Sequence, residues 1–314
     1  MKSSTQQSVY SDWSTLLERR ARLASGLILF AYATCHFLSH ATGVFGLAVL
    51  DAVGRRVILA PWQNTVGHTT IFASLFVHGA LGLRALYRRR HLRIPVAEAA
   101  QLSGIGLSIP LLLIPHAVDV RLGHAAFGLA DTYYRILFYY WLSAPAIGLS
   151  RQFLLLFFVW CHGCTGLHFL MRYQTWYRRR REALLALAIL VPFTAVLGLI
   201  NAGWDAAMKS VLEPGFVDRN GPHAATHAGP MLEWIWQTFQ LVYVGLIVLV
   251  LIARLAREAV SRHLRIRLTY PGNRIVSVMR GFSVLEASRW AGIPHASICG
   301  GRARCSTLSI GSQC

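Results

Sequence analysis

Residues 153–171 read FLLLFFVWCHGCTGLHFLM, and this stretch decides the class of the protein. It contains no Asp, Glu, Lys or Arg. At about 1.5 Å of rise per residue, a helix of this length crosses the ~30 Å hydrocarbon core of a bilayer. His162 lies inside the stretch, where an imidazole is costly unless something binds its nitrogens. The stretch therefore predicts a membrane helix that carries a functional histidine.

The same apolar character recurs along the whole chain. Of 314 residues, 54% are hydrophobic and only 14% are charged, which is too apolar for an ordinary soluble domain. Runs of about 20 apolar residues predict transmembrane helices. There are six such runs, at 22–48, 66–86, 98–118, 150–171, 183–203 and 233–253. A weaker segment at 131–147 contains Arg135 and Pro145, and we interpret it as interfacial.

Arginines cluster in alternate loops, and this spacing predicts the topology. The clusters precede the first run, separate the second from the third and the fourth from the fifth, and follow the sixth. The positive-inside rule then places both termini in the cytoplasm, with residues 1–21 as a polar cytoplasmic segment. The net charge of +18 lies in juxtamembrane loops, so we expect membrane lipid as a partner and no nucleic acid.

Histidines lie inside the first four runs at two depths. Measured at about 1.5 Å per residue, His78 and His162 lie about 12 to 13 Å from the cytoplasmic edge, and His36, His40 and His116 about 21 to 27 Å from it. Neutral imidazoles at matched depth in a four-helix core predict two stacked haem b groups. His78 pairs with His162. His116 pairs with His40 or, less well, with His36; these two lie one turn apart on one face, so either could ligate.

Apart from Glu98 at the edge of the third run, the first four runs contain no acidic residue. This scarcity argues against a transporter that relays protons through buried histidines. The fifth and sixth runs contain no histidine, which indicates a supporting role outside the haem-binding core.

The C-terminal tail, residues 264–314, predicts a small α+β segment. Residues 264–308 read LRIRLTYPGNRIVSVMRGFSVLEASRWAGIPHASICGGRARCSTL. Two short strands flank a Pro-Gly turn, a helix follows over 281–293, and a glycine-rich loop joins Cys299 to Cys305.

Two motifs resemble known redox proteins. The run from His162 to His168, HGCTGLH, resembles the haem-ligand signature of succinate dehydrogenase cytochrome b subunits, which implies that His162 is a ligand. The tail resembles a [2Fe–2S] ferredoxin domain of the β-grasp type, in which such a loop presents thiolates to the cluster. Only Cys299 and Cys305 match that ligand pattern, because position 308 is Leu and Cys314 lies too close to replace the distant fourth ligand.

Taken together, these segments resemble bacterial class III adenylate cyclases with a six-span dihaem membrane anchor. The matching text is HFLSHATGVFGL, VHGALGLRALYRRR, IPLLLIPHAV and VWCHGCTGLHF. The resemblance implies a homodimer in the bacterial cytoplasmic membrane, with an anchor at 22–258 that senses quinone or quinol and relays redox state to a cyclase. We expect the chain to be truncated before the cyclase domain, with an incomplete cluster and no catalytic residues. The alternative is a dihaem cytochrome b that carries electrons between the quinone pool and an iron–sulfur partner.

Overall fold

The protein is mostly helical. The computed structural model describes residues 4–89, 100–217, 225–261, 265–279, 282–294 and 312–313. In these residues six helices are long and apolar enough to cross a membrane, which is consistent with a multi-pass membrane protein and with the six predicted runs. The helices are α1 (Ser4–Ala41), α2 (Thr65–Arg88), α3 (Gly104–Phe127), α4 (Pro145–Met171), α5 (Arg181–Leu212) and α6 (Ala225–Ser261).

Two helices extend beyond the apolar runs. α1 begins at Ser4, so the polar segment expected at 1–21 is helical from Ser4 onward and continuous with the first apolar run. α3 reaches Phe127 because a π-helical turn, Val118–Leu122, continues the α-helical stretch Ile109–Ala117. The longer α3 contains Asp119, so the prediction that the first four spans lack acidic residues was wrong.

Short helical segments connect the long helices. Between α1 and α2 lie a 3₁₀ turn, an α-helical turn, a π-helical run and a second 3₁₀ turn, at Thr42–Phe45, Leu47–Val49, Leu50–Ile58 and Ala60–Trp62. The segment that we interpreted as interfacial forms Tyr133–Leu137 and Phe138–Ser143. One face of it is buried: Tyr133, Tyr134 and Leu137 share a core cluster with Leu47, Leu50, Ala202 and Ala206. The rings pack there because the alanines leave room beside α5. A further short helix, Thr175–Arg179, separates α4 from α5.

α5 packs directly against α1. A Cβ added to Gly198 would overlap the backbone carbonyl of His40, and one added to Gly43 would overlap the carbonyl of Gly198. Glycine allows such close approach of membrane helices because it has no side chain. A core cluster of Phe37, Leu156, Trp160 and Ala195 joins α4 to the same pair.

The chain divides into two units, residues 1–82 with 97–244 and residues 83–96 with 245–314. The second contains the predicted hairpin: β1 (Arg265–Tyr270) pairs antiparallel with β2 (Arg274–Met279), and β3 (Ser312–Gln313) pairs antiparallel with β1. Gly272 has a φ of 79° in the turn, which glycine adopts without strain. Helix α7 (Val284–Trp290) is shorter than predicted and starts with a capping box between Ser283 and Glu286. Cys299 and Cys305 lie outside the described residues.

Candidate functional site

The histidines of the first four helices form two ring pairs. His78 on α2 and His162 on α4 have ring centroids 6.1 Å apart, with the ring planes at 90°. His36 on α1 and His116 on α3 also have centroids 6.1 Å apart, with the planes at 65°. We call these the inner pair and the outer pair. The inner pair joins α2 to α4, and the outer pair joins α1 to α3.

The separation within each pair is one that two histidine ligands of a single metal would have. Two imidazoles that bind a metal from opposite sides have ring centres about 6 Å apart, because the metal–nitrogen distance is about 2 Å and the nitrogen lies about 1 Å from the ring centre. Over the described stretches, no group of three or more His, Cys, Asp or Glu could hold a metal ion. A metal at either pair would therefore need further ligands from a cofactor, such as the porphyrin nitrogens of haem.

His78 is held by contacts from α1. Its Nδ1 lies 3.2 Å from the backbone carbonyl oxygen of Arg22 and 3.4 Å from the hydroxyl of Ser25. Donation from Nδ1 to the carbonyl orients the ring and leaves Nε2 as the acceptor nitrogen. A Cβ added to Gly26 would lie 3.0 Å from Cε1 of His78, so glycine permits this approach.

His162 is flanked in a similar way by α3. A Cβ added to Gly106 would lie 3.2 Å from Cε1 of His162. Gln101 lies in a π-helical segment, Ala100–Gly106, that leads into α3, and it donates a 2.7 Å hydrogen bond to the backbone carbonyl of His162. Nδ1 of His162 is buried and has no hydrogen-bond partner among the described residues.

In the outer group, the structure favours His36 over His40 as the neighbour of His116. His40 instead contacts Tyr133, with ring centroids 5.5 Å apart, and its Nε2 lies 3.2 Å from Nε2 of His36. Tyr133 shares a 2.8 Å hydrogen bond with the hydroxyl of Ser39. Depth matched His116 with His40 more closely than with His36, whereas the ring that contacts His116 is that of His36. Within the part of the chain that the structure describes, buried Nδ1 atoms of His36, His40 and His116 have no hydrogen-bond partner of good geometry.

A buried polar network that the sequence did not reveal joins α3 to α4. Asp119 forms an ion pair of 3.7 Å with Arg151 and accepts a 3.0 Å hydrogen bond from the hydroxyl of Tyr140. Arg135 donates a 3.2 Å hydrogen bond to the backbone carbonyl of Asp119. Burial raises the pKa of Tyr140, so its hydroxyl stays protonated and acts as a donor. The spacing from His116 to Asp119, about one helical turn, was the available clue.

Two buried donors lie beside this network. Among the described residues, neither Nε of Arg151 nor Nε2 of Gln152 has a hydrogen-bond partner of good geometry, although Gln152 lies close to the ring of His116. An unsatisfied buried donor costs free energy, so these two groups are well suited to an oxygen acceptor from a bound molecule.

Two further histidines make local hydrogen bonds, and three cysteines are free thiols. Nδ1 of His124 lies 2.8 Å from the backbone carbonyl of Leu129, and Nδ1 of His168 lies 2.9 Å from the hydroxyl of Tyr177. Both bonds can be explained by local structure alone. Three described cysteines carry free, partly buried thiols, namely Cys35, Cys161 and Cys164.

Comparison with protein-family models, curated proteins and solved structures finds no match for this chain.

Proposed function

We propose that this chain is a membrane-embedded redox module that binds two haem b groups and responds to the redox state of the quinone pool. One observation carries the proposal: two histidine pairs, on four different helices, have the same ring separation of 6.1 Å. A single buried histidine is often a core residue. Two pairs with the spacing of axial ligands favour haem.

His78 and His162 are the proposed ligands of the inner haem, and His36 and His116 those of the outer haem. Haem b supplies reversible exchange of one electron at each position. The Nδ1 contact of His78 with the Arg22 carbonyl would fix the ligand ring and increase the basicity of Nε2. Glycines at 26 and 106 keep side chains away from the inner rings.

The unpartnered donors of Arg151 and Gln152 would serve the outer position. Haem carries carboxylates and a quinone carries carbonyl oxygens, and both are acceptors that these donors would satisfy. The proposal therefore assigns α4 two roles: it supplies a ligand of the inner haem and polar contacts near the outer one.

For the output, the resemblance to class III adenylate cyclases suggests that redox state passes to a ferredoxin-like segment and a cyclase, in a homodimer. α6 ends at Ser261 and β1 begins at Arg265, so a short connection joins the sixth helix to that segment. Cys299 and Cys305 are the proposed [2Fe–2S] ligands. In this proposal the chain itself senses and transmits, and cyclic AMP formation belongs to the cyclase.

A reduced-minus-oxidised absorption spectrum of the purified full chain tests the haem assignment. We expect b-type bands and two haems per chain by haem extraction, with reduction on addition of a quinol. Protein that folds and inserts but shows no b-type spectrum would overturn the proposal.

Kinetics separate a sensor from an electron carrier. With excess quinol and a soluble one-electron acceptor, a sensor is reduced once and then turns over slowly. Rapid, sustained oxidation of quinol would instead support the alternative dihaem carrier.

A further inference from the structure

The turn between α4 and α5 is strongly basic and exposed. Residues 172–181 read RYQTWYRRRR and contain five arginines and no acidic residue. All five arginine side chains are exposed to solvent. We call this stretch the basic turn.

The basic turn has a defined backbone shape. The amide of Gln174 donates to the carbonyl of Met171 at 2.8 Å, and the amide of Arg178 donates to the carbonyl of Gln174 at 3.2 Å. The guanidinium of Arg172 lies over the ring of Tyr173 at 4.8 Å. Its arginines are therefore presented on an ordered scaffold, which lowers the entropic cost of binding a ligand.

The arginines of the basic turn lack the acidic partners that arginines elsewhere have. Arg55 forms an ion pair of 3.1 Å with Asp51, and Arg151 pairs with Asp119. Within the described residues, no carboxylate forms an ion pair with any arginine of the basic turn. The nearest acidic residue in sequence is Glu182, just after the turn, so five arginines carry a large excess of positive charge and would attract an anionic partner.

The position of the basic turn indicates which anion it meets. It directly joins two apolar helices, since α4 ends at Met171 and α5 begins at Arg181. Tyr173 is 67% exposed and Trp176 48% exposed. Exposed Trp and Tyr beside basic residues at the end of a membrane helix are typical of headgroup depth.

We propose that the basic turn binds the phosphate of an anionic phospholipid, with Arg178, Arg179 and Arg180 as the main contacts. Guanidinium groups bind phosphate through two parallel charge-assisted hydrogen bonds. Trp176 lies on the same short helix and would contact the glycerol and upper acyl region. The inference is independent of haem binding.

Quenching of Trp176 by brominated lipids tests this site in the full chain reconstituted in bilayers. The Trp176 signal is the difference between the wild type and Trp176→Phe. We expect stronger quenching by brominated phosphatidylglycerol, which is anionic, than by brominated phosphatidylcholine, which is zwitterionic. The preference should weaken as salt is raised. Equal quenching of the Trp176 signal by both lipids at low salt would overturn the proposal.

Replacement of arginines then locates the site. Each arginine removed should lower the relative affinity for the anionic lipid about five-fold, so the triple replacement of Arg178, Arg179 and Arg180 by Gln should abolish the preference. The matched control is Arg56→Gln, an exposed arginine in the α1–α2 connection, which should leave the preference intact. A triple variant that keeps the full preference would also refute the site.

Discussion

Individual histidines show how far position along a helix can predict a site. The pairing of His78 with His162 followed from their matched depths, and their rings do lie 6.1 Å apart. The choice between His36 and His40 could not be made in that way, because residues one turn apart share a helix face. Ring positions and the packing of neighbouring segments bear on that choice, and neither follows from position along one helix. Tyr133 contacts the ring of His40. It belongs to the segment at 131–147, for which the sequence predicted an interfacial position and no packing partner.

His162→Ala should remove the inner haem and spare the outer one. Under the proposed function, the variant loses one of the two histidines that would hold the inner haem, and His78 alone would not hold it. Haem extraction should fall from two haems per chain to one. His168→Ala, on the same helix, removes only a bond to Tyr177 and should retain both haems. Loss of both haems in a stably folded His162→Ala protein, or of neither, would contradict the pairing.

His36→Ala and His40→Ala should differ. His36 is the ring that contacts His116, so its loss should remove the outer haem. His40→Ala should keep two haems and shift the midpoint potential of the outer one, because a polar neighbour is lost. Redox titration followed by absorption measures both results. If His40→Ala is the variant that loses a haem, the outer ligand assignment is wrong.

Among the elements, hairpins and helix cores were easier to predict than helix ends. The Pro-Gly turn and alternating residues predicted β1 and β2, and both strands are present. The end of α3 was missed, because a search for apolar runs stops at the first charged residue. Asp119 continues the helix because Arg151 and Tyr140 satisfy its carboxylate. Such compensation depends on neighbours that are distant in sequence.

Gly198→Ala should weaken the packing of α5 against α1. The new Cβ would overlap the carbonyl of His40, and overpacking of this kind costs about 1–3 kcal/mol. The free energy of unfolding, measured by titration with a denaturing detergent, should fall by that amount. Gly245→Ala on α6 is the control, since no atom of the described residues lies within 4 Å of the added Cβ. Equal stability of the two variants would disprove the close contact.

Asp119→Asn should destabilise the protein more than a surface change. It leaves the charge of Arg151 without its carboxylate. Because both side chains are 17% exposed, we expect a cost of about 1–3 kcal/mol, below that of a fully buried pair. The double variant Asp119→Asn, Arg151→Gln removes both charges and should recover part of the loss. Thermal unfolding of the three proteins in one detergent gives the comparison. An unchanged melting temperature for Asp119→Asn would show that the pair is already solvated.

At the scale of the whole molecule, the number and position of the long helices could be predicted, and their neighbours only in part. Composition and the alternation of basic loops predicted six spans, and the described residues contain six long apolar helices. The contact between α1 and α5 could not be predicted, because Gly43 and Gly198 lie far apart in sequence. A glycine indicates that a close contact is possible but not which helix makes it. The buried face of the 133–143 segment was missed for the same reason.

Topology can be tested with two single cysteines. Six spans with cytoplasmic termini place the α1–α2 connection outside and the α4–α5 turn inside. In intact cells, Arg56→Cys should react with a membrane-impermeant thiol reagent, and Arg179→Cys should react only after permeabilisation. Wild-type protein corrects for the native thiols. Labelling of both variants in intact cells would contradict the predicted orientation.

The two histidine pairs sit at different levels of α1, and this separation has an electrical consequence. Gly26 lies against His78 of the inner pair, and His36 belongs to the outer pair. Ten residues of helix correspond to about 15 Å, which is about half of the ~30 Å hydrocarbon core. Under the proposed function, an electron that moves between the pairs crosses about half of the transmembrane potential. That step changes by about 1 kcal/mol per 100 mV, so membrane voltage would bias which haem is reduced.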